Sequence, residues 1–90
     1  AQGDLANVLK LIGSLHSNGG DYEKAGLFLD QSLALREKIA EQTGGSFEAR
    51  LKLAQILQAR GLIPFYDGDN KKAIEYYRRA QNLTETLRRE

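Results

Sequence analysis

Few residues in this chain could do chemistry, and their spacing does not build a reaction centre. One histidine, His16, is present and cysteine is absent, so neither a histidine pair nor a thiolate can ligate a metal ion. We interpret His16 as a packing or surface residue. The serines have no neighbouring base in a triad-like arrangement; they are Ser14, Ser17, Ser32 and Ser46. We therefore expect no catalytic residue, no metal, no cofactor and no enzymatic activity.

Two overlapping stretches share only part of the pattern of known ligand-binding loops. The sequence GDNKKA, residues 68–73, has lysines after a glycine but lacks the G-x4-G-K-[ST] spacing of a phosphate-binding loop. The sequence DGDNK, residues 67–71, has the spaced aspartates that begin a calcium loop. The chain lacks the glycine that such a loop needs at its sixth position and the glutamate that closes it. We interpret this region as a turn followed by the N-cap of a helix.

Composition narrows the class of partner. The chain has 90 residues, a net charge of +1 and 28% charged residues of both signs, so neither nucleic acid nor an acidic membrane is the expected partner. No segment approaches the roughly 20 apolar residues that span a bilayer, and the N-terminus lacks the pattern of a signal peptide. The sequence does not fix a cellular location, and the absence of cysteine favours the cytoplasm.

Apolar periodicity predicts four amphipathic helices and no strand. The first covers Leu5 to His16, and its apolar residues are Leu5, Val8, Leu9, Ile12 and Leu15. Asp21 is the predicted N-cap of a second helix that runs to about Gln42, and Ser46 caps a third. The third is expected to end near Arg60–Gly61, since Pro64 disfavours helix at the preceding residue. A fourth starts near Asp69 and runs to the C-terminus, which makes the fold all-α with two helical hairpins.

The two hairpins repeat each other. Ala25 and Ala73 begin a matching pattern in the second helices, 48 residues apart (73 − 25 = 48). In the first helices an offset of 41 pairs Gly13 with Ala54 and Gly20 with Gly61. The difference between the two offsets predicts a seven-residue insertion, LIPFYDG, at residues 62–68. Small residues at these positions would let neighbouring helices approach closely, and a duplicated helix–turn–helix unit is typical of a solenoid.

The repeated pattern resembles the tetratricopeptide repeat. Its elements are Leu9-x2-Ile12-Gly13, then Gly20-Asp21-Tyr22-x2-Ala25, then Phe28, Ser32 and Leu35. The second repeat keeps Leu53-Ala54, Gly68-Asp69, Ala73, Tyr77 and Ala80, and departs in the insertion and in Asn70. The long period is similar to the variant of about 42 residues found in kinesin light chains and bacterial proteins. The resemblance implies one domain over residues 1–90, an α–α superhelix with repeats at about 3–43 and 46–89.

The resemblance also implies a binding surface. In the family, the first helix of each hairpin lines a concave groove that holds a peptide or a partner helix. Projecting the first helix at about 100° per residue and moving 41 residues along gives eight candidate contact residues: Asn7, Lys10, Ser14, Ser17, Glu48, Leu51, Gln55 and Gln58. The alternative is that these residues are ordinary solvated positions.

The predicted insertion offers a second candidate surface. Its apolar residues are Leu62, Ile63, Phe65 and Tyr66. We expect them to cover the open end of the helical stack. The alternative is an exposed hydrophobic patch of the kind that marks interaction sites.

The sequence therefore predicts a protein–protein interaction scaffold that binds a peptide or a partner helix through its concave face. Two repeats are fewer than the three or so that such stacks need, so we expect a fragment of a longer array or self-association into a homo-oligomer. The main alternative is a self-association, sensor or regulatory segment of a larger protein. A third, less favoured reading is nucleic-acid binding by Arg78, Arg79, Arg88 and Arg89.

Overall fold

The computed structural model describes residues 2–89 and contains four α-helices joined by short turns. Helix α1 spans Gln2–Asn18, α2 Tyr22–Gln42, α3 Phe47–Tyr66 and α4 Asn70–Arg88. No strand is present within residues 2–89. The predicted all-α fold of two helical hairpins, α1–α2 and α3–α4, is confirmed.

Side-chain caps start three of the helices where the sequence predicts them. The side chains of Asp21, Ser46 and Asp69 each accept a hydrogen bond from the backbone N–H three residues later, at 3.2, 3.3 and 3.2 Å. Each cap satisfies one of the amide groups that a helix N-terminus leaves without an intrahelical partner. The boundaries of α2, α3 and α4 at their N-termini follow from these three residues.

Glycines with positive φ form the turns. Gly20 and Gly68 have φ of +83° and +86° and occupy equivalent places inside the two hairpins. The turn between the hairpins differs, because it uses two such residues in succession, Gly44 and Gly45, at +67° and +76°. Residues with a Cβ rarely adopt this conformation, so glycine determines both kinds of turn.

The expected end of the third helix is wrong. Helix α3 does not stop at Gly61 but continues to Tyr66 with Pro64 inside it, so residues 62–66 are helical and no inserted loop is present there. Pro64 lacks an N–H and removes one helical hydrogen bond, yet it and Ile63 are buried in the interior. The helix closes with Asp67 N–H donating to the Ile63 carbonyl at 3.0 Å. Burial at the last turn thus outweighs the missing bond.

The 41-residue register of the first helices is also wrong. Gly61 corresponds to Gly13, 48 residues away, and not to Gly20. A Cβ on Gly13 would lie 2.8 Å from Leu29 Cγ, and a Cβ on Gly61 would lie 3.1 Å from Tyr77 Cε1. Leu29 and Tyr77 are themselves 48 apart. Each glycine therefore allows the same close approach of the two helices in its hairpin, and a single offset relates both.

Ala54 takes a different place from the one predicted. It was paired with Gly13, whereas the common offset pairs it with Ala6, and both alanines are buried. Ala25 and Ala73, the pair that defined the offset, are also buried. The small residues do mark positions where helices approach closely, but the first helix of each hairpin carries two of them.

The core lies between α2, α3 and α4. One cluster of buried residues joins these helices: Ala25, Leu29, Leu33, Ile56, Leu57, Ile63 and Ala80. Helix α1 packs mainly on α2, α2 on α3, and α3 on α4. The hairpins therefore stack in chain order, as in a solenoid.

Candidate interaction surface

The two hairpins approach each other more closely through their first helices than through their second helices. Cα atoms of α1 and α3 come within 8 Å of one another, whereas those of α2 and α4 do not. We call the face formed by α1 and α3 the inner face.

A groove of about 660 Å³ lies on this inner face. We call it the inner groove, and its lining residues are Lys10, Gln55, Gln58, Ala59, Leu62 and Tyr77. Lys10 comes from α1 and Tyr77 from α4, so three helices contribute. The groove offers one ammonium group, two amides that both donate and accept hydrogen bonds, and apolar walls.

Tyr77 brings a phenol to this groove. Burial, and secondarily the neighbouring Tyr66 phenol, raise the pKa of Tyr77 above its ordinary value. The hydroxyl is therefore protonated at neutral pH and is able both to donate and to accept a hydrogen bond. The groove consequently carries one positive charge, that of Lys10, among otherwise neutral groups.

The sequence model of the tetratricopeptide repeat matches residues 6–39 and 54–86. These two segments cover most of the chain. The chain belongs to the tetratricopeptide repeat family. The two matches begin 48 residues apart, which agrees with the offset seen in the structure. Searches of curated proteins and of solved structures gave no significant match.

The inner groove contains three of the eight candidate contact residues of the tetratricopeptide repeats. Lys10, Gln55 and Gln58 line it together. At the common offset, Lys10 corresponds to Gln58 and Asn7 to Gln55. The groove therefore presents equivalent positions of both repeats on one surface.

The remaining candidates on α1 are partly used by the fold. Asn7 Oδ1 accepts a hydrogen bond of 2.7 Å from Arg36 Nη2, which fixes the Asn7 side chain against α2. Ser14 and Ser17 are half-buried. At the common offset they correspond to Leu62 and to Phe65, so the second repeat is apolar where the first has hydroxyls.

Glu48 and Leu51 were selected with the same 41-residue register as Gln55 and Gln58, but they lie seven residues, or about two turns, before them on α3. Glu48 lines a separate cavity of about 320 Å³ with Lys52 and Arg36, near the start of α3. Leu51 is exposed on α3 and does not line the inner groove.

The predicted apolar cluster at residues 62–66 is divided by the helix that contains it. Leu62 lines the inner groove, while Ile63 is buried in the core. Phe65 and Tyr66 are exposed on their outer sides, and Tyr66 stacks on Tyr22 with ring centroids 5.8 Å apart. The expectation of a single covering patch is wrong for Ile63, since helical periodicity points alternate residues in different directions.

Two features of the site were missed from the sequence. The sequence indicates Tyr77 only as a position that the second repeat keeps, although it also borders the inner groove. Arg60 was read as the end of a helix, but its Nε lies 2.6 Å from Asp30 Oδ1 and its guanidinium carbon lies 5.2 Å from the Tyr76 ring centroid. The 48-residue offset pairs Gly61 with Gly13 and so indicates that α3 continues past Gly61, but it carries no signal for the Arg60–Asp30 contact, which is made between the hairpins.

Other chemistry has little support in the part of the chain that the structure describes. No group of three or more histidine, cysteine, aspartate or glutamate side chains is placed to hold a metal ion within residues 2–89. His16 stacks on Phe28 with ring centroids 5.5 Å apart, which agrees with a packing role. None of the four helices is long and apolar enough to cross a membrane.

Proposed function

We propose that the inner groove binds a short segment of another protein, either an extended peptide or one face of a helix. Tetratricopeptide repeats mediate protein–protein interaction as a family, and this chain contains two. The observation that supports the proposal is the grouping of Lys10, Gln55 and Gln58 in one groove.

The groove chemistry favours a particular kind of segment. The amides of Gln55 and Gln58 pair with backbone N–H and C=O groups, which every peptide carries. Lys10 supplies one positive charge for an acidic side chain or a terminal carboxylate. Leu62 and Ala59 supply apolar contact for a side chain nearby. The expected ligand is a segment with one acidic and one apolar anchor.

The scaffold itself loses little entropy on binding. Lys10, Gln55 and Gln58 all project from helices, so their backbones are already ordered before the ligand arrives. Preorganisation of this kind lowers the cost of association. The ordering cost falls on the peptide and on the long side chains of the groove.

The test begins with a random peptide library displayed on phage and selected against the 90-residue chain. A selected peptide is synthesised, and its Kd is measured by calorimetry. Lys10→Glu and Gln58→Ala should each weaken binding by about tenfold or more, as expected for the loss of one hydrogen bond to a charged or backbone group. Gln31→Ala, at an exposed position of α2, is the matched control and should leave the Kd within about twofold.

Two results would contradict the proposal. One is selected peptides whose affinity is indifferent to both groove substitutions. The other is an NMR titration in which the shifted amides belong to α4 and not to α1 and α3.

A further inference from the structure

Helix α1 exposes a row of apolar side chains on the side away from α2. We call this row the α1 outer face, and it consists of Leu5, Val8, Leu11, Ile12 and Leu15. Val8 is 50% exposed and Leu15 71% exposed, while Ile12 is half-buried. Contiguous exposed apolar surface of this kind marks a site of association.

The second hairpin shows how this type of face is normally covered. At the 48-residue offset, Val8 corresponds to Ile56 and Leu15 to Ile63. These two isoleucines are only 1% and 6% exposed, because they share a buried cluster with Leu29 and Leu33 of α2. The same face of a first helix is thus buried by a neighbouring helix in one repeat and exposed in the other.

The α1 outer face is more uniformly apolar than its counterpart. Ile12 stands where α3 has Arg60, and Arg60 needs the Asp30 carboxylate of α2, 2.6 Å away, as its partner. A helix that covers α1 therefore needs no acidic residue at that point. The fitting occupant is a helix face that is apolar along its whole length.

The outer side of α4 does not meet this requirement. At the 48-residue offset, the α2 residues that face α3, which are Gly26, Leu29, Asp30 and Leu33, correspond to Ile74, Tyr77, Arg78 and Gln81 of α4. End-to-end stacking of one copy on the next would set Arg78 against the apolar α1 outer face, which offers no acidic partner, and an unpaired buried charge is costly. Stacking of α4 on the α1 of another copy is therefore disfavoured.

The α1 outer face is complementary to itself. Four of its five apolar positions, 5, 8, 12 and 15, are symmetric about position 10. In an antiparallel pair of α1 helices, Leu5 would face Leu15 of the second copy, and Val8 would face its Ile12. A patch that matches itself in this way is what a two-fold interface requires.

We propose that two copies of this chain associate through their α1 outer faces, antiparallel about a two-fold axis near residue 10. The interface lies outside the inner groove, because Lys10 is about 200° around α1 from Val8 at 100° per residue. The dimer would therefore leave the groove of each copy open, and it stands or falls independently of the proposed peptide binding.

The first test is the mass of the intact chain by sedimentation equilibrium over a concentration series. The unmodified chain should change from monomer to dimer with increasing concentration. Val8→Glu should weaken the dimer by about 100-fold or more, because it buries two unpaired carboxylates. Ile74→Glu is the matched control at 49% exposure on α4, and it should leave the dimer constant within about twofold.

Circular dichroism checks that the Val8→Glu chain is still folded when its dimerisation is measured. Val8 is half-exposed in the monomer, so the Val8→Glu chain should keep its helicity while losing dimerisation. A chain that is monomeric at every concentration up to the millimolar range would overturn the proposal. So would a dimer that Ile74→Glu disrupts and Val8→Glu does not.

A second test determines the relative direction of the two α1 helices in the dimer by disulfide formation. The chain contains no cysteine, so introduced cysteines can pair only with each other. Chains carrying Leu5→Cys and Leu15→Cys are mixed and oxidised under mild conditions. The antiparallel arrangement predicts that the mixed disulfide between positions 5 and 15 forms fastest. Faster formation of either same-residue disulfide would overturn the antiparallel pairing, and disulfide yields at the level of a random mixture would overturn the interface.

Discussion

The two hairpins have the same backbone design but different interiors. In both, a glycine at the same position lets the helices approach closely, Gly13 in α1 and Gly61 in α3. Two turns before Gly13 the first hairpin has a polar link, since the Ser32 hydroxyl donates to the Ala6 carbonyl at 2.7 Å. Around Gly61 the second hairpin places the aromatic rings of Tyr76 and Tyr77. The family geometry is thus maintained by two different sets of side chains.

The difference extends to the faces that the first helices turn away from their partners. The side of α3 that carries Ile56 is covered by α2, and the equivalent side of α1 is exposed. Equivalent residues therefore contribute differently to stability. This contrast can be tested by making paired substitutions at equivalent positions.

The largest expected difference is between Ile56→Ala and Val8→Ala. Ile56→Ala removes a fully buried side chain and should lower the free energy of unfolding by about 3–4 kcal/mol, including the cavity that remains. Val8→Ala should cost less than about 1 kcal/mol in dilute, monomeric protein, because half of the side chain is already exposed. Urea unfolding followed by circular dichroism measures both. Equal losses would mean that α1 is covered in the monomer as α3 is.

The glycine pair should show a smaller difference. A Cβ on Gly13 would lie 2.8 Å from Leu29 Cγ and 3.2 Å from the Ala25 carbonyl oxygen, neither of which is free to move. Gly13→Ala should therefore cost about 1–3 kcal/mol, even though alanine favours the helix by about 1 kcal/mol. The nearest atom at Gly61 is 3.1 Å away, so Gly61→Ala should cost less. Urea unfolding measures both losses of stability. A larger loss for Gly61→Ala than for Gly13→Ala would contradict the prediction.

The buried hydroxyl of the first hairpin offers a sharper comparison. Ser32→Ala should cost about 1.5 kcal/mol, because the donor to the Ala6 carbonyl is lost from a buried site. The reciprocal change, Ala80→Ser, places a hydroxyl at the equivalent position of the second hairpin. It should cost less than about 1 kcal/mol if the Ala54 carbonyl accepts the new hydrogen bond. Thermal unfolding of the two variants, and of the double variant, measures whether the polar link is transferable.

The helix caps should behave alike and so provide the reference for the other pairs. Asp21 and Asp69 accept the same hydrogen bond at the same 3.2 Å. Asp21→Ala and Asp69→Ala should each cost about 1 kcal/mol, and the two values should agree within about 0.5 kcal/mol. Both losses of unfolding free energy are measured by urea denaturation. Losses that differ by more than this limit would show that one hairpin unfolds separately from the other.

Local signals in the sequence were sufficient for the fold but not for the end of α3. The caps Asp21, Ser46 and Asp69, together with apolar periodicity, placed the four helices. The end of α3 was placed near Gly61 because Pro64 disfavours helix at the preceding residue and because Gly61 was matched with the turn residue Gly20. The actual role of Gly61 depends on Tyr77 from another helix, 3.1 Å from the position of its missing Cβ, and such a tertiary contact has no local signature.

The candidate site was predictable to a similar extent. The family resemblance and a helical projection selected Lys10, and the 41-residue step then gave Gln55 and Gln58; the structure brings these three to one groove. The same step also gave Glu48 and Leu51, which lie outside the groove, and it omitted Leu62. Faces of a helix can be read from its sequence, whereas the pairing of faces between distant repeats requires the correct offset.

The joint between the hairpins also determines how the molecule responds to force. No Cα atoms of α2 and α4 come within 8 Å of each other, so the arrangement of the hairpins is maintained mainly by the contact of α2 with α3, by a smaller contact of α1 with α3, and by the turn containing Gly44 and Gly45. A tensile load that spreads the hairpins is borne by these few contacts and not by the hydrogen bonds inside the helices. We therefore expect a load that spreads the hairpins to widen the inner groove before any helix unwinds.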